Sequence, residues 1–202
     1  IEDDSRLIDL KNVSGLVFMG GPYSVNDDHP WLHHEILMIK QAIEKKIPLM
    51  GVCLGAQVIS KALGSEVCTA DFMETGWHQI ETHVERLSGM PPLELESSIE
   101  VFEWHEDVFS TPAGATPIFS GENHENQGYV LNNILVTQFH LEMTEHMVYE
   151  WLERYQDCIP EPSQSVQSPE KITESLSERL EKLHIQADII YYWWLKNSQI
   201  ID

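Results

Sequence analysis

The chain has 202 residues, 42% of them hydrophobic, which is enough to bury the core of one sizeable domain. It carries 33 acidic and 12 basic residues, and the resulting formal net charge of −21 argues against nucleic acid or a membrane surface as a partner. Three scattered cysteines do not make a disulfide framework, no apolar run is long enough to span a membrane, and the start IEDDSR is unlike a signal peptide. We therefore expect a cytoplasmic protein.

The first part of the chain alternates predicted strands and helices. The run SGLVFMGGP predicts a buried strand that ends in a Gly20-Gly21 loop. Isoleucines at helical spacing between His33 and Lys46 predict a helix, and IPLMGV predicts a second buried strand. AQVISKALG then predicts a short helix that ends at Gly64. This order is typical of a βαβ unit in an α/β fold.

The rest of the chain is strand-rich and then helical. Antiparallel additions at a sheet edge are predicted by short runs broken by Gly, Pro and Asn: WHQIETH, IEVFEWHEDVF, ATPIFSG, NQGYVL and NILVTQF. A helix is expected from Thr144 to Tyr155, and apolar residues every three or four positions predict a long amphipathic helix near the C-terminus. We expect a domain over residues 1–159, a linker over 160–171, and a helix over 172–198 that packs on the domain.

Cys53 lies in LMGVCLGAQVIS, where a predicted strand turns into a predicted helix. A side chain raised on such a sharp turn needs small neighbours, and Gly51 and Gly55 supply them. The start of the following helix favours a thiolate and offers N–H groups to an oxyanion. By itself, the pattern favours a buried structural cysteine, since free cysteine is among the most buried residue types.

Two other segments offer what a nucleophilic cysteine requires. In QFHLE, a predicted strand is followed by His140 and, two positions later, by Glu142, so a carboxylate can orient an imidazole base. Gly20 and Gly21 follow a strand expected in the same parallel sheet, so their loop and the Cys53 turn are predicted to share one rim. Each segment alone is also compatible with an ordinary loop.

Together, the Gly20-Gly21-Pro22 loop, GVCLGAQ and QFHLE resemble the class I (triad-type) glutamine amidotransferases over nearly the whole chain. METGW, FEWHEDVF, ENQGY and LSERLEKLHIQADIIYYWWL make the chain most similar to stand-alone proteins that resemble the glutaminase domain of GMP synthase. The resemblance implies a flavodoxin-like three-layer α/β sandwich. Its central sheet is expected to be mostly parallel, with antiparallel edge additions and a C-terminal helix.

The resemblance also implies a reaction and a set of site residues. Cys53 would attack the side-chain amide carbon of glutamine, giving a γ-glutamyl thioester and ammonia, while His140 moves the proton and Glu142 holds His140. Backbone N–H groups of Leu54 and of Gly20 or Gly21 would form the oxyanion hole. The implied substrate-binding residues are Gln57, Gly76, Trp77, His105, Asp107 and Gln127. Neither a metal nor a cofactor is expected.

Two departures from the family pattern leave alternatives open. Leu141 stands where the family usually has proline, and only acidic, loop-like residues precede the strand GLVFMG, so a first βα unit is expected to be missing. The chain could supply ammonia to a separate synthetase subunit. Alternatively, it could be a γ-glutamyl peptidase or hydrolase that acts on γ-glutamyl conjugates, or a catalytically silent binding module. The intact Cys53, His140 and Glu142 argue against the silent module.

Overall fold

Seven strands form one open sheet in residues 9–201, the part of the chain that the computed structural model describes. The predicted loop-like start, residues 1–8, lies outside the described residues. The strands are β1 (Leu16–Phe18), β2 (Leu49–Val52), β3 (Val67–Thr82), β4 (Ser98–Phe109), β5 (Thr116–Gly121), β6 (Gly128–Leu131) and β7 (Ile134–Thr137). Their order across the sheet is β1-β2-β7-β6-β5-β3-β4.

The predicted α/β class is confirmed, but the sheet is mixed, and its antiparallel part is larger than the prediction of a mostly parallel sheet allows. β1 pairs with β2, and β2 with β7, in parallel. The other four pairings of the described sheet are antiparallel. Where β5 pairs with β6 and β6 with β7, the physical reason is connection length, because a short link between successive strands returns the chain in the opposite direction. β6 and β7, for example, are joined by Asn132 and Asn133 alone, and Asn132 has a φ of 55°.

Helices cover both faces of the sheet, as a three-layer sandwich requires. They are α1 (Pro30–Glu44), α2 (Leu54–Ala62), α3 (Glu145–Tyr155), α4 (Pro169–Thr173) and α5 (Leu176–Asn197), with short 3-10 turns at Leu10–Asn12, Val84–Arg86 and Gln156–Cys158. Leu49 and Val136 point to the core that contains α1 and α2, whereas Met50 and Leu135 point to the core that contains α5. This alternation along β2 and β7 places the helices on opposite faces. None of the described helices is long and apolar enough to cross a bilayer.

The C-terminal region docks on the sheet through two helices. Ser175, with a φ of 53°, separates α4 from α5, so the long helix begins at Leu176. Leu183 and Ile190 of α5 are completely buried. Part of the predicted linker pairs with β3, since the Thr75 N–H donates to the Ser165 carbonyl at 2.9 Å. The division of the chain into a domain, a linker and a helix stays a prediction.

Candidate active site

Cys53 sits on a sharp turn between β2 and α2. It has a φ of 52° and a ψ of −113°, a backbone conformation that residues other than glycine rarely adopt. Its N–H donates to the Thr137 carbonyl at 2.9 Å, and its carbonyl accepts from the Gln57 N–H at 3.0 Å. The turn is therefore held from β7 on one side and from the first turn of α2 on the other.

The glycines beside Cys53 are required by close approach of the backbone. A Cβ at Gly55 would lie 2.0 Å from the Phe18 carbonyl oxygen at the end of β1. A Cβ at Gly51 would lie 2.8 Å from the Gly55 carbonyl oxygen. The prediction that this turn needs small neighbours thus has a concrete cause, because β1 and α2 pass too close to it for any side chain.

Buried His140 and partly buried Glu142 form a pair after β7. The Nδ1 atom of His140 lies 2.6 Å from Oε1 of Glu142, with side-chain exposures of 2% and 19%. Burial disfavours the imidazolium, but the Glu142 charge and the neighbouring Cys53 side chain outweigh it and raise the pKa of His140 well above its usual value. Burial likewise opposes ionisation of Glu142, yet the charge of His140 lowers the pKa of this carboxyl. The pair is therefore arranged as imidazolium and carboxylate.

The His140 ring is fixed from two further directions. Its backbone N–H donates to the Phe102 carbonyl of β4 at 2.8 Å, and the Trp151 ring of α3 meets it edge-on at 5.0 Å between centroids. Nε2 is buried and has no hydrogen-bond partner among the described residues. Leu141 is completely buried, so the residue at the usual proline position fills the core. The imidazole is thus held by Glu142 at Nδ1, and Nε2 is the ring nitrogen left for the neighbouring Cys53 side chain.

The loop after β1 closes over both the cysteine and the histidine. A Cβ at Gly20 would lie 2.8 Å from Cε1 of His140 and 3.5 Å from Cβ of Cys53. A Cβ at Gly21 would lie 3.1 Å from a methyl carbon of Leu54. The structure therefore brings these predicted residues together at the carboxyl ends of β1, β2 and β7, where ligands bind in open α/β sheets. Their role as an oxyanion hole stays a prediction.

The thiol of Cys53 has a backbone neighbour that is not among the predicted site residues. Its Sγ lies 3.8 Å from the carbonyl oxygen of Trp104 in β4, within hydrogen-bonding reach of sulfur. The Trp104 ring also meets that of Trp151, 5.7 Å away between centroids. A carbonyl contact of this kind leaves no signal in the sequence, because every residue type carries the same carbonyl.

Gln57 and Asp107, both predicted to bind substrate, lie beside each other. Gln57 Nε2 donates to the Asp107 backbone carbonyl at 3.0 Å. The Asp107 carboxylate accepts from the hydroxyl groups of Ser24 and of Thr69, the latter at 2.8 Å. Asp107 therefore ties α2 to the loop that follows Gly20 and Gly21. Its own carboxylate is engaged by these hydroxyls.

His105 and Gln127 meet at a buried carboxylate, that of Glu74. His105 Nε2 lies 3.0 Å, and Gln127 Nε2 lies 2.8 Å, from Oε2 of Glu74. Glu103 is close as well, with Oε2 3.3 Å from His105 Nε2. Burial lowers the pKa of His105, but its contacts with Glu103 and Glu74 outweigh burial and raise that pKa to about 10. Neither glutamate is among the predicted site residues, although METGW and FEWHED contain them.

Gly76 and Trp77 are in contact with Gln167, in the segment that precedes α4. A Cβ at Gly76, whose φ is 107°, would lie 2.6 Å from Oε1 of Gln167. That same oxygen accepts from the Trp77 N–H at 3.0 Å, and the Trp77 indole donates to the Ile172 carbonyl at 2.9 Å. The indole of Trp77 is therefore a core side chain. The predicted role of both residues at the substrate stays a prediction.

The chain is similar in sequence to known proteins. The family model described as "Glutamine amidotransferase class-I" matches residues 1–149. The glutamine-hydrolysing GMP synthase subunit of Sulfolobus acidocaldarius is 34% identical over 148 residues, which are 71% of this chain and 74% of that protein.

Two solved structures are similar to nearly the whole chain. A glutamine amidotransferase from Methylobacillus flagellatus has a TM-score of 0.87 at 36% identity, covering 94% of this chain and 78% of that one. A second, from Thermotoga maritima, has a TM-score of 0.81 at 27% identity, covering 95% and 81%.

Proposed function

Because the chain belongs to the class I glutamine amidotransferase family, we propose that it hydrolyses the side-chain amide of glutamine through Cys53, His140 and Glu142 and releases ammonia. One observation carries the proposal. Glu142 occupies Nδ1 of a buried His140 at 2.6 Å, Nε2 has no hydrogen-bond partner in the described residues, and the Cys53 side chain contributes to the raised pKa of His140. This arrangement supports the proposal that Cys53 is the nucleophile, His140 the base and Glu142 the carboxylate that orients it, as acyl transfer requires.

In the first half of the proposed reaction, the proton that Cys53 and His140 share lies on Nε2 of His140, and Sγ attacks the amide carbon. The amide oxygen becomes negatively charged. It accepts hydrogen bonds from the Leu54 N–H and from an N–H of Gly20 or Gly21. When the C–N bond breaks, His140 passes its proton to the leaving nitrogen, and ammonia departs. A γ-glutamyl thioester remains on Cys53. Glu142 stabilises the imidazolium throughout.

In the second half, water replaces ammonia beside His140. The imidazole takes a proton from this water, and the oxygen attacks the thioester carbon. The C–S bond breaks, the proton returns to Sγ, and glutamate leaves. A positioned acid–base group of this kind is worth on the order of 10²–10⁴ in rate.

We also propose how the remaining residues support the substrate. Gln57 stays our proposed contact to glutamine, because it lies one turn after Cys53 and its side chain reaches the Asp107 carbonyl. Asp107 would act by tethering the loop after Gly21 through Ser24. His105 and Gln127 would act indirectly. Their hydrogen bonds to Glu74 would hold β4 and the start of β6 against β3.

The acceptor of the ammonia is proposed from the relatives. The similar protein of Sulfolobus acidocaldarius is named as one subunit of a glutamine-hydrolysing GMP synthase. By that likeness, we propose that a separate synthetase subunit uses the ammonia that this chain releases. A cytoplasmic location stays a proposal that rests on the cysteine usage of the sequence.

A substrate panel tests the activity. The protein is incubated with glutamine and with a series of γ-glutamyl amides and dipeptides, and released ammonia or amine is measured. We expect turnover of glutamine, loss of turnover in Cys53→Ala, and unchanged turnover in Cys68→Ala, which alters an exposed thiol. Turnover of the conjugates without glutamine would replace the proposal by a γ-glutamyl hydrolase. Turnover of no compound by the folded protein would overturn both.

A further inference from the structure

Three buried side chains, none of them from Cys53, His140 or Glu142, converge between β3 and β4. Nε2 of His105 and one carboxylate oxygen each from Glu74 and Glu103 lie within 4.8 Å of one another. The two nitrogen–oxygen distances are 3.0 Å to Glu74 and 3.3 Å to Glu103. All three side chains are at most 1% exposed. One imidazole and two carboxylates thus face a single point inside the protein.

The orientation of His105 is that of a metal ligand. Its Nδ1 donates to the Asp107 carbonyl at 3.2 Å, so Nε2 is directed at the two carboxylates. Histidines that bind metals commonly donate their other ring N–H to such a carbonyl, which fixes the ring. Glu74 is oriented in turn, because Asn123 Nδ2 donates to its second oxygen at 2.8 Å. From this arrangement, we propose that Glu74, Glu103 and His105 bind one divalent transition-metal ion.

Charge balance permits a divalent ion. Burial raises the pKa of Glu103, so without an ion the cluster reaches neutrality by holding protons on Glu103 and His105, and a divalent cation with two carboxylates and a neutral imidazole is equally neutral. Metal binding would release the proton of His105 Nε2. Within the described residues, neither oxygen of Glu103 has a regular hydrogen-bond partner, and Oε1 of Gln127 is also buried without one. An ion at the cluster would satisfy the Glu103 carboxylate directly.

The donor set selects the kind of metal. One imidazole nitrogen with two carboxylate oxygens suits zinc and its neighbours in the first transition row. Calcium and magnesium favour sites made of oxygen atoms alone. Zinc is therefore the ion to test. The ion would also fix β4 beside Cys53. The Asp107 carbonyl accepts hydrogen bonds both from His105 Nδ1 and from Gln57 Nε2, one turn after Cys53.

Matched glutamate variants test the site without an activity assay. The protein, freed of metal by a chelator, is titrated with zinc by calorimetry, and its thermal unfolding is followed with and without zinc. Glu103→Gln removes one ligand charge at constant shape, and Glu106→Gln alters an exposed glutamate on the same strand. We expect wild type and Glu106→Gln to bind one zinc ion at least about tenfold more tightly than Glu103→Gln. Zinc should raise Tm only in the first two.

The comparison is decisive because the cysteines and surface histidines are common to all three proteins. Equal zinc affinity and equal Tm shifts in the three would overturn the proposal and leave an ion pair of His105 with its glutamates. A second measurement covers the case in which Glu103→Gln does not fold. Crystals of the wild-type protein grown with zinc should show anomalous scattering between Glu74, Glu103 and His105. Zinc found only elsewhere in those crystals would equally overturn the site.

Discussion

The Glu142 carboxylate lies 2.6 Å from Nδ1 of His140, and this contact leaves Nε2 as the ring nitrogen available to Cys53. The charge of Glu142 also keeps the pKa of His140 well above its usual value, although burial acts in the opposite direction. Orientation and protonation of the imidazole thus depend on one carboxylate. This dependence can be measured.

Replacement of Glu142 by glutamine is expected to shift the pH dependence of glutamine hydrolysis. Without the carboxylate charge, the pKa of His140 falls, so His140 loses its proton at a lower pH than in the wild type. His140 must be protonated to release ammonia, so the basic limb of the kcat profile should move to lower pH. The maximal rate should fall by about 10²–10⁴.

The measurement for this variant is the kcat profile across pH, with Glu145→Gln as a control on the exposed start of α3. The control should keep the wild-type profile. A basic limb that stays in place in Glu142→Gln would show that this carboxylate does not set the protonation of His140.

A methyl group at Gly20 is expected to disturb catalysis more than one at Gly21. The Cβ of Gly20→Ala would lie 2.8 Å from the His140 ring, so the imidazole must move. The Cβ of Gly21→Ala meets only the end of the Leu54 side chain, at 3.1 Å, which can give way. We expect kcat to fall by about 10²-fold for Gly20→Ala, since small displacements of reacting groups are costly, and to change much less for Gly21→Ala.

Steady-state kinetics and circular dichroism of both glycine variants check this. Both proteins should show wild-type spectra, because the contacts concern side chains. Equal kcat values in the two variants would mean that the Gly20 loop does not constrain His140 in solution.

The docking of α5 predicts a difference in stability between two neighbouring residues. Leu183 is completely buried, whereas Ile185 is 54% exposed on the same helix. Leu183→Ala should lower the free energy of unfolding by about 2–5 kcal/mol, and Ile185→Ala by less than about 0.5 kcal/mol. Urea denaturation measures both. A mild effect at Leu183 would contradict the packing of α5 on the sheet.

Much of the site is predictable because its signals are local. GVCLGAQ predicts a strand, a turn and a helix, and the structure places Cys53 on that turn with a φ of 52°. In HLE, His140 and Glu142 are two positions apart, and Nδ1 of His140 lies 2.6 Å from Oε1 of Glu142. Each of these features depends on the chemistry of neighbouring residues, which the sequence displays directly.

The parts that escape prediction depend on long-range pairing. β3 spans Val67–Thr82, but its first half lacks a clean alternation of apolar and polar residues, so the sequence predicts only a shorter strand. Pairing of β3 with β4 brings Glu74 opposite His105. Glu103 becomes a buried partner of His105 only through this fold. The Trp104 carbonyl beside the Cys53 thiol is likewise a consequence of β4 packing.

The most direct test of the central proposal is to trap the acyl-enzyme. The protein is mixed with glutamine, quenched in acid during turnover, digested and analysed by mass spectrometry. The account predicts a γ-glutamyl group on the peptide that carries Cys53, and none in Cys53→Ala. Release of ammonia from glutamine without acylation of Cys53, in a quench that preserves thioesters, would contradict it.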